Sequence, residues 1–328
     1  MRWFLRRLAF YLFALWMAIT LTFLIPQLMP GSPIGGILQR LTPQQIQNNP
    51  GIILTYEKIF GGKNQSFLAA YWTYLNHAAH LNFGISTSNY PTPVSQVIAR
   101  TLPYSIALVG ISFILAFVLG TTIGMIAAWR RGRSFDTIFV PLFMALGAFP
   151  AYFTALLIVY VLGLRLGWFP IQHAYGTNLA PGFDWAFIGS AIDHGILPAL
   201  VIVLAFAGGW VINMRTVMIN TISEDYVAMA QAKGLKDRRV MTRYAARNAI
   251  LPPLNGFAPQ FATAVGGVIF VELVFSYPGA GYTLQQAAVG KDLPLTQALL
   301  LVFAVCPIVA IFIIDLVNFV LDPRIRAT

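Results

Sequence analysis

Residues 103–129 read PYSIALVGISFILAFVLGTTIGMIAAW, and none of these 27 residues is Asp, Glu, Lys or Arg. An α-helix rises about 1.5 Å per residue, so about 20 apolar residues cross a hydrocarbon core of about 30 Å. This stretch is long enough to cross a membrane as one helix. We therefore predict a transmembrane helix here.

The rest of the chain has the same bias, because 58% of its 328 residues are hydrophobic and 10% are charged. Soluble proteins have about 25% charged residues, which solvate their surface. The composition therefore excludes an ordinary soluble enzyme. Six apolar stretches are long enough to cross a membrane: residues 8–28, 103–129, 138–162, 197–214, 254–275 and 296–321. We predict an all-α integral membrane protein with six transmembrane helices.

The positive charges predict the topology. Lys and Arg are retained on the cytoplasmic side near span ends. With the N-terminus inside, fifteen of the 21 Lys and Arg residues fall in inner segments and six in outer ones. Both termini are therefore predicted to be cytoplasmic. This arrangement explains most of the net charge of +10, so a nucleic-acid partner is not expected.

The topology divides the chain into four segments. Residues 1–29 are the first transmembrane helix with its cytoplasmic N-terminus, and residues 30–94 are an extracytoplasmic segment of short helices. Residues 95–321 hold helices two to six and a long inner loop, 215–248. Residues 322–328 are a cytoplasmic tail.

The sequence motifs predict no catalytic centre and no metal site. Gly62-Lys63 lacks the rest of the phosphate-binding loop pattern, and neither H-E-x-x-H nor G-x-S-x-G occurs. His77 and His80 have helical spacing, but two ligands are too few for a structural zinc site. The single cysteine, Cys306, has no histidine near it in sequence that could activate it.

Two acids fall inside the predicted spans and are functional candidates for that reason. Glu272 lies near the outer end of the fifth span, and Asp315 lies about two turns from the inner end of the sixth. Both can reach interfacial water or a partner group, so local pairing is the favoured interpretation. A proton-coupled carrier would be expected to place an acid nearer the middle of the membrane.

The inner loop contains a short helix with its own start and stop signals. Ser223 is the candidate N-cap, and Glu224 and Asp225 occupy the first turn, where the helix dipole favours negative charge. Lys233 lies in the last turn, and Gly234 can adopt the left-handed conformation that ends a helix. Small side chains would let another surface approach closely: Ala228, Ala230 and Ala232.

A second helical stretch follows Gly234, and its basic residues recur every four positions. Arg239, Arg243 and Arg247 would form one stripe on its surface. Such a stripe suits anionic lipid headgroups or an acidic protein surface.

Residues 225–235 read DYVAMAQAKGL and resemble the coupling loop of ABC importer permeases, in the dipeptide, oligopeptide and nickel branch of that family. Further matches follow in order along the chain: NFGIS at 82–86, WFP at 168–170, VELVF at 271–275, PGAG at 278–281 and DPRIR at 322–326. The general signature begins Glu-Ala-Ala, with a glycine four residues after the second alanine. Here Ala228, Met229 and Ala230 replace its start, while Gly234 is kept.

The resemblance implies a type I ABC importer transmembrane domain in the plasma (inner) membrane of a prokaryote. Such a subunit is not an enzyme and carries no cofactor; ATP and magnesium bind to two partner ATPases. Its other partners are a second homologous permease, an extracytoplasmic solute-binding protein and the lipid bilayer. The residues expected to couple to the ATPases are Glu224, Asp225, Tyr226, Ala228, Met229, Ala230, Lys233, Gly234, Leu235 and Arg239.

The resemblance implies a peptide as the first choice of substrate and an oligosaccharide as the second. Nickel is also transported by members of the family. The sequence does not identify the substrate-binding residues. The alternative functions are a proton-coupled secondary transporter, which would work without ATPases, and a structural membrane scaffold, which would tolerate changes at Gly234.

Overall fold

The structure is a computed structural model that describes residues 2–27 and 66–321. Within these residues it contains helices and one isolated β-bridge, and no strand. The predicted tail, 322–328, and most of the predicted extracytoplasmic segment lie outside the described residues. The helices are α1 (Arg2–Gln27), α2 (Phe67–Ala79), α3 (Val94–Trp129), α4 (Ser134–Ala148), α5 (Ala151–Ile158), α6 (Trp185–Ile222), α7 (Asp225–Ala232), α8 (Asp237–Arg239), α9 (Ala246–Ala249), α10 (Leu251–Asn255), α11 (Phe257–Val274), α12 (Ala280–Val289) and α13 (Leu293–Leu321). Two π-helical segments, Val159–Arg165 and Val240–Ala245, follow α5 and α8.

Five of the described helices are long and apolar enough to cross a membrane: α1, α3, α6, α11 and α13. The bent pair of Ser134–Ala148 and Ala151–Arg165 makes six if it is taken as one span. The predicted all-α membrane fold is confirmed. Several helices extend beyond the apolar stretches, because helical hydrogen bonding continues into polar residues; α3, for example, begins at Val94.

The third predicted span is not one straight helix. Its two parts meet at Phe149 and Pro150 with a bend of 103°. Proline has no N–H to donate and disfavours helical geometry in the residue before it, and Phe149 is extended, with φ −76° and ψ 134°. The third predicted span is therefore broken at this point and is not a continuous helix.

One of two compact units consists of residues 1–104 and 279–328. In it α1 packs against α13 and α2. Hydrogen bonds join the hydroxyls of Thr20 and Tyr71 at 2.7 Å and of Thr22 and Tyr74 at 3.1 Å. Asp292 precedes α13 and accepts a hydrogen bond from the Leu295 N–H at 3.2 Å.

The Asp292 carboxylate also fixes the turn that precedes α3. It accepts hydrogen bonds from the Ser86 hydroxyl and, at 2.8 Å, from the Ser88 N–H. Asp292 and Ser86 are both fully buried. A buried carboxylate needs such partners, so this acid has a structural role in holding the 86–88 turn against the start of α13.

The other compact unit consists of residues 105–278, and α6 lies at its centre. Helix α3 approaches α6 through two glycines: a Cβ at Gly120 would lie 2.5 Å from Trp210 Cβ, and one at Gly124 would lie 2.5 Å from the Val211 carbonyl oxygen. Aromatic rings fill the space beside this contact, with the Phe113 and Phe257 centroids 4.9 Å apart.

Helix α4 packs along α6 in the same unit, also at glycines. A Cβ at Gly208 would clash with the Phe143 carbonyl group, and one at Gly147 would lie 3.4 Å from the Ala205 carbonyl oxygen. The α6 helix is therefore in close contact with both α3 and α4. It carries the segment that leads into the inner loop.

Candidate functional site

The short helix predicted in the inner loop is α7, and it starts one residue later than its proposed cap implied. Ser223 keeps a helical conformation, with φ −81° and ψ −1°, and its hydroxyl donates a hydrogen bond to the Asn220 carbonyl at 2.7 Å. The extended residue that an N-cap requires is Glu224, with φ −74° and ψ 144°. The Ser223 cap prediction was wrong because α6 continues to Ile222. Asp225 does lie in the first turn.

The predicted end of this helix is confirmed. Gly234 has φ +73°, in the left-handed region, and its N–H donates to the Gln231 carbonyl at 2.9 Å. Lys233 is the C-cap, and its N–H donates to the Met229 carbonyl at 3.0 Å. A Cβ at Gly234 would meet no atom within 4 Å, so this backbone conformation is what favours glycine there.

Helix α7 has one buried face and one exposed face. Val227 and Ala230 are buried at 0% and 3% exposure in a cluster with Met214 and Met218 of α6. Met229 is 60% exposed on the other side. The remaining exposed predicted residues are Glu224, Asp225, Tyr226, Ala228, Lys233, Gly234 and Arg239.

The idea that Ala228, Ala230 and Ala232 share one open surface was wrong. Residues two apart lie on different sides of a helix, and Ala230 points into the protein. Ala228 and Ala232 are exposed. Leu235 is partly buried against the same interior cluster as Ala230.

The segment after Gly234 is helical and supports α7 from one side. Val240, Ala245 and Ala249 are buried in the cluster that also holds Val227 and Ala230. The Asn248 side-chain amide donates a hydrogen bond to the Tyr226 hydroxyl at 2.9 Å and so ties α9 to α7. The predicted basic stripe lies on the exposed surface: Arg239, Arg243 and Arg247.

A partly buried ion pair lies near this site, and the sequence did not reveal it. Arg215 of α6 binds Asp136 of α4 through two hydrogen bonds, from Nε to Oδ1 at 2.6 Å and from Nη2 to Oδ2 at 2.8 Å. The Gly132 N–H also donates to Oδ2, at 3.0 Å. Asp136 is 6% exposed and Arg215 is 28% exposed. A separation of 79 residues gives no local signal for such a pair.

Of the two acids predicted to lie inside the membrane, the structure describes the side chain of Glu272 and not that of Asp315. Glu272 is fully buried in α11, and the Ser105 hydroxyl donates a hydrogen bond to its Oε1. The backbone of Asp315 is part of α13, but its side chain lies outside the described residues.

Residues 120–327 match the model of the family described as the binding-protein-dependent transport system inner membrane component. The chain belongs to this family. The permease is 32% identical to the dipeptide transport system permease protein DppB of Lactococcus lactis over 327 residues, 99% of each chain. It is 30% identical to the oligopeptide transport system permease protein AppB of Bacillus subtilis over 311 residues, 93% of each chain.

A third relative, the oligopeptide transport system permease protein OppB of Escherichia coli K12, is 29% identical over 326 residues, 99% of each chain. The matches to full-length relatives confirm the resemblance to peptide permeases of ABC importers. The permease is therefore a multi-pass component of an inner membrane, and its family works with partner ATPase and binding-protein subunits.

Proposed function

We propose that this permease forms half of the solute pathway of an ATP-driven importer and that α7 couples it to the ATPases. The observation that carries the proposal is the position of α7. Its inner face packs on α6 through Val227 and Ala230, and its outer face, with Met229, is exposed. The outer face is thus open to a docking protein.

In this proposal two ATPase subunits bind ATP with magnesium and close around the outer face of α7. The buried contacts with Met214 and Met218 pass the movement of α7 to α6. Binding energy for ATP thereby shifts the permease between inward-open and outward-open states. The chain itself needs neither a cofactor nor a catalytic group for this role.

The other partners in the proposal are a second, homologous permease, which completes the pathway, and an extracytoplasmic binding protein, which delivers the solute. The inner loop and both termini face the cytoplasm of a prokaryotic cell, following the distribution of Lys and Arg. The exposed Arg239, Arg243 and Arg247 then lie on the cytoplasmic side, where anionic lipid headgroups and the ATPases are.

The substrate proposed is a peptide, because the relatives are named for dipeptide and oligopeptide transport. The comparisons give no support to an oligosaccharide substrate or to a proton-coupled carrier. Uptake of labelled peptides and labelled oligosaccharides by the same reconstituted assembly would decide between the two substrates. Only the peptides are expected to be taken up.

Docking at α7 is tested by labelling single cysteines with a maleimide, after Cys306→Ser removes the native thiol. Met229→Cys is expected to react in the isolated permease and to be protected once the ATPases bind, because this side chain is 60% exposed. Phe183→Cys is the exposed control, since Phe183 is 100% exposed and lies between the third and fourth predicted spans, in a segment that the predicted topology places outside the cell. Val227→Cys is the buried control, at 0% exposure.

The three variants make the result specific to the α7 surface. The thiol at 183 should react with and without ATPases, and the thiol at 227 should react slowly in both states. Equal reactivity at 229 in the isolated permease and in the assembled complex would show that the ATPases do not cover α7.

A further inference from the structure

We propose that Asp136 and Arg215 are positioning residues that make α4 and α6 move as one body, so that motion at α7 reaches the bend at Phe149 and Pro150. The inference rests on the proposed coupling role of α7. It concerns a different part of the molecule, the third span, for which the sequence predicted no function.

The ion pair joins α4 and α6 at one end of their contact. Both oxygens of Asp136 are engaged by Arg215, and the geometry is bidentate, which fixes the relative orientation of the two side chains. The Gly132 N–H holds the same carboxylate from the turn before α4. The Asp136 carboxylate is thus held from two sides, by the turn that precedes α4 and by Arg215 of α6.

The same two helices stay in contact further along. Phe143 is seven residues after Asp136, and Gly208 is seven residues before Arg215, so the two contacts follow one antiparallel register. Gly147 and Ala205 continue it. Seven residues of helix correspond to about 10 Å, so the ion pair and the glycine contacts hold α4 to α6 over most of the α4 length.

The ion pair is also next to the coupling site. Met214, which precedes Arg215, and Met218, three residues after it, belong to the same buried cluster as Val227 and Ala230 of α7. A displacement of α7 therefore acts on the turn of α6 that carries Arg215. Through Asp136 this displacement is passed to the start of α4.

The far end of α4 is the only place in the described part of the chain where two helical segments that could together form one span meet at a sharp bend, 103°. Proline at 150 removes the backbone hydrogen bond that would keep α4 and α5 in line. In this proposal the α4 and α6 pair ends at this bend, which acts as the hinge. The expected consequence is that coupling motion changes the angle between α4 and α5.

The test uses the complete importer in proteoliposomes and measures peptide uptake per ATP hydrolysed. Asp136→Asn and Arg215→Gln should each lower this ratio by at least about fivefold, the lower end of typical coupling effects, while ATP hydrolysis continues. Arg133→Gln, which removes an exposed positive charge beside α4, should keep the wild-type ratio.

A covalent link provides the decisive second variant if the single variants fail to assemble. Asp136→Cys and Arg215→Cys are combined in the Cys306→Ser background and joined with a short bifunctional thiol reagent. The linked protein should take up more peptide per ATP than the unlinked protein, because the link replaces the ion pair. Uptake that is unchanged or abolished by the link would overturn the proposal.

The two proposals fail in different ways. If the wild-type assembly shows no ATP-driven uptake, the proposed function is wrong. If the wild-type couples uptake to ATP and the single variants keep the wild-type ratio, only the role of Asp136 and Arg215 is wrong.

Discussion

Replacing Gly208 by alanine is expected to weaken the packing of α4 on α6, whereas the same replacement at the adjacent Gly209 is not. A Cβ at Gly208 would clash with the Phe143 carbonyl oxygen and lie 3.0 Å from the carbonyl carbon. A Cβ at Gly209 would meet only the Gln260 side-chain oxygen, at 4.0 Å. The obstruction at Gly208 is helix backbone and cannot rotate away.

The adjacent pair isolates the packing effect. Both replacements gain up to about 1 kcal/mol of helix propensity, so this contribution cancels in the comparison. Forcing one extra methyl group into a packed contact costs about 1–3 kcal/mol. Gly208→Ala should therefore unfold with a free energy about 1–3 kcal/mol below that of Gly209→Ala.

The assay is equilibrium unfolding of the purified permease in mixed micelles, followed by circular dichroism, with both variants measured beside the wild type. Gly209→Ala is expected at or above the wild-type free energy of unfolding. A difference between the two variants of less than about 0.5 kcal/mol, within ordinary surface effects, would refute the close contact of α4 with α6.

Two further glycines have matched controls in the chain. Gly124→Ala should destabilise the permease by about 1–3 kcal/mol in the same unfolding assay, because its Cβ would lie 2.5 Å from the Val211 carbonyl oxygen. Gly110→Ala, in the same helix, is the control without this loss, because its Cβ would meet nothing within 4 Å. Gly234→Ala and Gly167→Ala should each cost about 1–2 kcal/mol of local backbone strain, because both glycines have positive φ, +73° and +63°. Only Gly234→Ala should lower peptide uptake per ATP, and an equal loss at Gly167 would argue against the role of α7.

The sequence predicted the class of fold because its apolar stretches are long and nearly free of charge. It also predicted the end of α7, since Gly234 follows a short helical pattern and glycine takes a left-handed conformation without strain. Both features are local, because each can be predicted from one continuous stretch of the sequence.

The errors came from features that depend on neighbouring helices. Ser223 has the chemistry of an N-cap, but α6 continues to Ile222 and keeps Ser223 helical. Pro150 is visible in the sequence, yet a proline in a membrane helix produces either a mild kink or a break, depending on what replaces the lost hydrogen bond. At Pro150 the result is a break with a bend of 103°.

The buried acids could not be predicted because their partners are distant in the chain. Asp136 is 79 residues from Arg215, and Asp292 is 206 residues from Ser86. Both acids lie at the ends of apolar stretches, where a charged residue is ordinarily solvated. Only the packing of the helices shows that they are buried and paired.

The central claim, that this permease couples peptide import to ATP hydrolysis on other subunits, is tested by one measurement. Labelled peptide uptake and phosphate release are recorded together in proteoliposomes that contain the permease, its homologous partner, the ATPases and the binding protein. Uptake should require hydrolysable ATP and persist when a protonophore collapses the proton gradient. Uptake without ATP that the protonophore abolishes would contradict the account.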